Sequence, residues 1–243
     1  MCATITVLLI PLLAAPAVAQ ELDLELVLLA DASGSISDDE IALQHEGYAQ
    51  AITAPEVLAA IGNTTTASIA VVYVEWAADQ QVVGDWRLID GPEAAPAFAR
   101  ELTAMPRLAF GRNAIGSALL AGRDAIEGNS VRGLRRVIDF SGDSVGNFSG
   151  PSIAAARAEV LAAGITINGL PILCRDCATG SGSTRASLAD DFRDQIIGGP
   201  GAFVLAAETR DSFAGAVRRK LVLEIAGQTP EPSDALPVVL KAP

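Results

Sequence analysis

Residues 22–37 read LDLELVLLADASGSIS. The first eight of them are mostly Leu and Val, and a short apolar run that ends in turn-prone residues reads as a buried strand. The turn-prone part, 31–37, holds Asp31, Ser33 and Ser35, with Gly34 free to take a tight turn. Asp38, Asp39 and Glu40 come next, and acidic side chains suit the positive end of a helix. The stretch therefore predicts a strand, a loop carrying one carboxylate and two hydroxyls, and a helix running to about residue 52.

The same alternation continues outward. Residues 67–76 are rich in Val, Ile and Tyr, as strands are, and 80–88 should fold back on them as a hairpin. A chain break is expected at Pro55. Helices are expected over 92–104 and 114–127, a short strand over 136–140, a helix over 152–163 closed by Gly164, and a strand over 165–173. A loop over 174–184, a helix over 188–197, a strand over 202–206 and a helix over 212–225 complete the pattern. Strands separated by helices imply a doubly wound α/β fold, with a mainly parallel sheet of about six strands and helices on both faces. One domain over 21–226 is expected. Beyond it, 227–243 contains Pro230, Pro232, Pro237 and Pro243 without periodicity and reads as a Pro-rich tail.

The beginning of the chain has a different character. Residues 1–19 combine an apolar stretch with Ala17-Val18-Ala19, which matches a small-residue cleavage site, so a signal peptide cut after Ala19 and a periplasmic or secreted destination are expected. No later run is long enough for a membrane span. After export the remaining cysteines are Cys174 and Cys177, and a disulfide between them is the default in an oxidising compartment.

Composition narrows the function. The 243 residues are 50% hydrophobic, enough for a sizeable core, and carry a formal net charge of −12. That balance argues against a nucleic-acid partner and against attraction to anionic membranes. His45 is the single histidine, so His-rich metal sites are excluded. The chemistry-bearing residues lie at strand ends. Asp31 closes the first strand, and Asp143 follows the strand ending near Phe140. In a doubly wound sheet such ends meet in one crevice where strand order reverses. Carboxylate and hydroxyl oxygens are the ligands that hard divalent cations take.

Asp31-x-Ser33-x-Ser35 resembles the metal-ion-dependent adhesion site of von Willebrand factor type A domains, and the order of strands and helices over 22–226 resembles that family as well. In the family a threonine comes from a loop before a later helix, and an aspartate ends the fourth strand. Here Asn113, within 111–119 (GRNAIGSAL), stands where the threonine is usual, and Asp143 matches the aspartate. The segment VIDFSGD at 137–143 is similar to a bacterial secreted branch without an assigned function. The resemblance implies a Mg²⁺ site (Mn²⁺ or Ca²⁺ being alternatives) formed by Asp31, Ser33, Ser35, Asn113 and Asp143. It also implies a protein partner that gives an acidic residue to the ion, and no enzymatic activity.

Other readings compete. A metal-free interaction scaffold of the same fold is one. Gly142-Asp143-Ser144-Val145-Gly146 matches the G-x-S-x-G elbow of serine hydrolases, but the triad order there puts histidine last, and His45 precedes Ser144. Asp139, inside an expected buried strand, should either support the ion loop from behind or pair with Arg135 or Arg136. Trp76 and Trp86 are expected to pack on the hairpin near the sheet edge.

Overall fold

In a computed structural model that describes residues 21–173 and 185–230, with backbone alone at 185–187, β1 (Glu21–Asp31) is the central strand. It pairs in parallel with β2 (Ile69–Trp76) on one side and β4 (Arg132–Gly142) on the other. β3 (Gln80–Ile89) returns antiparallel to β2, and β5 (Thr166–Pro171) lies parallel to β4. The sheet order is β3-β2-β1-β4-β5. β1 is buried on both faces, which is why its run is nearly continuous in apolar residues rather than alternating.

Odd and even residues of β1 feed different layers. Leu24, Leu26 and Leu28 join a core with Tyr48 of α1 (Asp38–Ile52), Val57 of α2 (Pro55–Gly62), Phe98 of α3 (Ala94–Ala104) and Val217 of α7 (Phe213–Ala226). Val27 and Leu29 join a second core with Leu119 of α4 (Ile115–Glu127), Ala156 of α5 (Ile153–Ala162) and Leu188 of α6 (Arg185–Asp191). The two faces of one strand thus anchor helices above and below the sheet.

Several elements differ from expectation. Among the described residues the sheet has five strands, not about six. The expected strand at 202–206 touches β5 through a single bridge, Gly169 with Val204, with another just beyond both segments, Ile172 with Ala207, and never forms a ladder. Pro55 opens α2 instead of breaking the chain, because a proline at the first helical position lacks only an N–H that would have no partner there. β4 begins at Arg132, before the expected residue 136. The 188–197 helix starts earlier, as α6, and ends in a π-helical turn, Phe192–Ile196. α7 stops at Ala226, where Gly227 takes the left-handed conformation (φ 66°) that favours glycine. The expected signal peptide, the Cys174–Cys177 pair and the tail from residue 231 lie outside the described residues.

Candidate metal centre

Strand order reverses at β1, with β2 to one side and β4 to the other, and the carboxyl ends of β1 and β4 form the crevice. Asp31 is the last residue of β1, and Asp143 immediately follows β4. The Asp143 N–H lies 3.4 Å from Asp31 Oδ2. Both carboxylates are buried, Asp31 fully. Gly142 makes room for this approach, since a Cβ there would stand 3.0 Å from the Trp76 ring and 3.2 Å from Asp31 Oδ2. Trp76 itself is fully buried, stacks on Phe140 with ring centroids 5.0 Å apart, and donates its N–H to the Ser141 carbonyl at 3.0 Å. It is a floor of the crevice rather than a hairpin-edge residue.

The loop after Asp31 is tied down throughout. The Ser33 N–H donates to Asp31 Oδ1 at 2.8 Å, and the Ser33 and Ser35 hydroxyls are 3.2 Å apart. Ala32, Ile36, Ile41, Ala77 and Ala109 form a small apolar plug beneath it. Ser37 closes the loop as the N-cap of α1. Its hydroxyl accepts from the Glu40 N–H, and its own N–H donates to Glu40 Oε2 at 2.7 Å, a reciprocal capping box. Arg107 reaches in from the α3–α4 connection and donates to the carbonyls of Ala32, Ser33 and Ile36.

Asn113 sits on that same connection. Its Nδ2 donates to Ser144 Oγ at 2.9 Å, a bond that does not use Oδ1, and its carbonyl receives the Phe148 N–H at 2.9 Å. The Gly111 carbonyl accepts from the Gly34 N–H at 2.8 Å, and Gly111 has φ 105°, a conformation that favours glycine. The five residues expected at the ion site therefore lie on three loops joined by hydrogen bonds. Ser144 meets an amide here. Among the described residues it has no hydrogen bond to His45, which is buried and engaged with Glu75 Oε1 at 2.9 Å.

The Glu75–His45 pair escaped the sequence reading. Glu75 is fully buried near the end of β2, and its other oxygen accepts the N–H groups of Leu108, at 2.6 Å, and Ala109, at 3.0 Å. Burial works to raise its pKa, but these bonds and the one from His45 outweigh it and hold the carboxyl below its ordinary value. The pair thereby fixes the connection that presents Gly111 and Asn113. Its trace in the sequence is a lone glutamate at the end of an apolar strand.

The two aspartates of the crevice are electrostatically uncompensated among the described residues. Burial, and then the facing Asp143 carboxylate, push Asp31 up to about 7, despite the Ser33 hydrogen bond. Burial also raises Asp143, and the nearby Ser35 hydroxyl offsets only part of it. Neither carboxylate oxygen of Asp143 has a hydrogen-bond partner, and among the described residues no Lys, Arg or His pairs with either aspartate. Buried carboxylates are ordinarily paired. No group of three His, Cys, Asp or Glu side chains converges anywhere among the described residues, so an ion here would rest on two carboxylates supplemented by hydroxyl and amide oxygens. That donor set is the kind hard dications take.

Asp139 does not serve this crevice. It faces the opposite side of the sheet and pairs with Lys220 of α7 at 2.7 Å, whereas Arg135 and Arg136 donate to backbone carbonyls.

Comparison with known proteins places the fold. The family model described as "Protein of unknown function (DUF1194)" matches residues 21–229. No curated protein matches the chain. Among solved structures, proximal thread matrix protein 1 from the mussel byssus, with a zinc-occupied MIDAS motif, is 17% identical with a TM-score of 0.59, over 86% of this chain and 49% of that one. A von Willebrand factor type A protein from Catenulispora acidiphila is 16% identical with a TM-score of 0.54, over 84% of this chain and 43% of that one. An aerotolerance-related membrane protein from Bacteroides fragilis NCTC 9343 is 16% identical with a TM-score of 0.52, over 82% and 98%. The chain thus spans about half the length of the mussel protein. The architecture is that of a von Willebrand factor type A domain. Among the described residues no helix is long and apolar enough to cross a membrane.

Proposed function

We propose, from the premise that the chain belongs to the family of proteins of unknown function DUF1194, that it is an exported binding module that engages an acidic group of a protein partner through a divalent cation. The observation that carries this reading is the pair Asp31 and Asp143, two buried carboxylates at the ends of adjacent strands with no cationic side chain against them among the described residues. Asp31, Ser33, Ser35 and Asp143 would hold the ion, with Asn113 contributing its amide oxygen. Mg²⁺ is the first candidate and Mn²⁺ or Ca²⁺ the alternatives. The zinc found in the mussel protein makes Zn²⁺ a fourth ion to test.

Bound there, a dication supplies positive charge and a water-filled position open to exchange. The protein's own residues do the rest. Asp31 keeps one oxygen on the Ser33 N–H, so its direction is set before any ligand arrives. The capping box at Ser37 and the Arg107 contacts hold the hydroxyls of Ser33 and Ser35 in place. Such a site is built for binding and is assigned no catalytic residue. Export rests on the signal-like residues 1–19, with residues 21–226 as the folded module, 227–243 as its tail, and Cys174–Cys177 as a disulfide.

Thermal unfolding in EDTA, then with each ion, tests the reading beside Asp31→Ala. An ion at about 100 times its dissociation constant should add roughly 2.7 kcal/mol. That is a rise of about 5–10 °C for a domain of this size. The shift should be absent in Asp31→Ala. If no ion moves the wild-type melting temperature, the module binds its partners without metal.

A further inference from the structure

We infer that the partner presents a segment in which an acidic residue has an apolar residue within two positions, the carboxylate going to the ion and the apolar side chain to a phenylalanine rim. The inference rests on the ion-binding reading above and specifies its partner.

Large apolar side chains that are well exposed are few: among the described residues they are Val82, Phe110, Leu134 and Phe148. Val82 and Leu134 lie on strands. The two phenylalanines, each 57% exposed, lie on the loops that build the ion crevice. Phe110 precedes Gly111, the residue bonded to Gly34 of the aspartate loop. Phe148 donates its N–H to Asn113 and belongs to the loop that starts at Asp143. Both rings sit on the loops of one crevice and offer apolar surface to another molecule, each with an arginine packed on one face.

Charge selects the partner's sign. An arginine stands over each ring: Arg107 lies 5.1 Å from the Phe110 centroid, and Arg112 lies 3.8 Å from that of Phe148. Arg107 is spent on the carbonyls of the aspartate loop. Arg112 has no ion pair among the described residues and is free to meet a carboxylate. The chain carries a net charge of −12, and Asp31, Asp143 and Glu40 crowd the crevice, so an acidic segment is repelled until the ion is present. With the ion in place, it and Arg112, which stacks on the Phe148 ring, would be the two cations on the loops that carry the rings. A groove of about 650 Å³ continues from Phe110 between Ile41 and Met105, with room for an apolar side chain.

A displayed library of random peptides, panned on the protein in Mg²⁺, tests this. Selected peptides should carry Asp or Glu with an apolar residue within two positions, and should be released by EDTA. In fluorescence anisotropy, the double variant Phe110→Ser/Phe148→Ser should bind a selected peptide about ten-fold more weakly, or worse. It should keep the Mg²⁺ melting shift of the wild type, which also shows that it folds. Arg112→Gln should weaken binding by a smaller factor. The inference is overturned if acidic peptides are selected without apolar neighbours, if the double variant binds as wild type does, or if a protein that shows the Mg²⁺ shift selects nothing. Absence of the Mg²⁺ shift in the wild type overturns the ion reading itself, so the two failures are separable.

Discussion

Two buried acidic clusters lie on this sheet, and they differ in where their positive charge comes from. On the helix face covered by α7, Asp139 and Glu224 share Lys220, at 2.7 and 2.5 Å, with all three buried, and Asn168 donates to Glu224 Oε1 at 2.9 Å. At the carboxyl ends of β1 and β4, Asp31 and Asp143 share no cationic side chain among the described residues. The first cluster has its cation on the chain and serves the attachment of α7. The second has no cationic side chain beside it among the described residues. Burial and a neighbouring carboxylate raise one acid to about 7 in each cluster, Glu224 and Asp31, so the strain is similar and the remedy differs. An internal lysine makes a permanent joint, whereas an ion at Asp31 and Asp143, as proposed above, would make that site respond to the solution around it.

The comparison breaks most visibly at Lys220. Lys220→Met should cost about 3–5 kcal/mol in urea denaturation, because removing one partner leaves buried carboxylates uncompensated. Removing all three charges together, as Asp139→Leu/Lys220→Met/Glu224→Leu, should recover most of that loss. A triple variant as unstable as the single one would mean that the cluster does more than neutralise itself.

At the crevice the same kind of change should act in the opposite direction. Asp143→Asn removes one of two facing carboxylates, so in EDTA it should leave stability unchanged or raise it. It should also abolish the roughly 2.7 kcal/mol that an ion near 100 times its dissociation constant would add. A variant destabilised in EDTA would show that Asp143 has a structural role of its own.

Acidity sharpens the contrast. A carboxyl with a higher pKa in the folded than in the unfolded state holds its proton more tightly when folded. Its contribution to stability is full below the unfolded value, 3.8 for Asp31 and 4.5 for Glu224, and is lost as pH rises through about 7. In EDTA, chemical denaturation should therefore show stability falling between about pH 4 and 7 from these two groups. Saturating Mg²⁺ competes with the proton at Asp31 and should flatten only that share. Equal slopes with and without the ion would separate Asp31 from the metal. The smallest effect is expected at Ser37→Ala, about 1 kcal/mol for a lost N-cap, measured in urea with or without the ion.

Much of the architecture was legible because β1 declares itself: a strand buried on both faces is mostly apolar, and here a loop of small oxygen-bearing residues follows it. The convergence of Asp31 and Asp143 was legible for the same reason, since both sit at the ends of strands that a parallel sheet sets side by side. Partners supplied from far along the chain were not. Lys220 lies on α7, eighty-one positions beyond Asp139, and nothing local tells Lys220 apart from an exposed helix lysine. Glu75 meets Leu108 and Ala109 only because β2 ends beneath their loop. The amino end of β4 was missed because its Arg and Gly residues lack the strand pattern, although Glu25 pins the Gly133 N–H at 2.5 Å. Residues 202–206 look like a strand by composition, and their contacts stop at isolated bridges.

Those bridges have a use of their own. β5 ends the sheet, and an uncovered terminal strand is a template on which another chain can add itself. The segment from Gly198 to Ala207 lies along it, with the Ile167 N–H donating to the Gly198 carbonyl and the Gly169 N–H to the Phe203 carbonyl, at 2.8 and 2.9 Å. Too irregular to offer a fresh ladder in turn, this segment occupies the β5 edge and leaves it a poor template for a further strand.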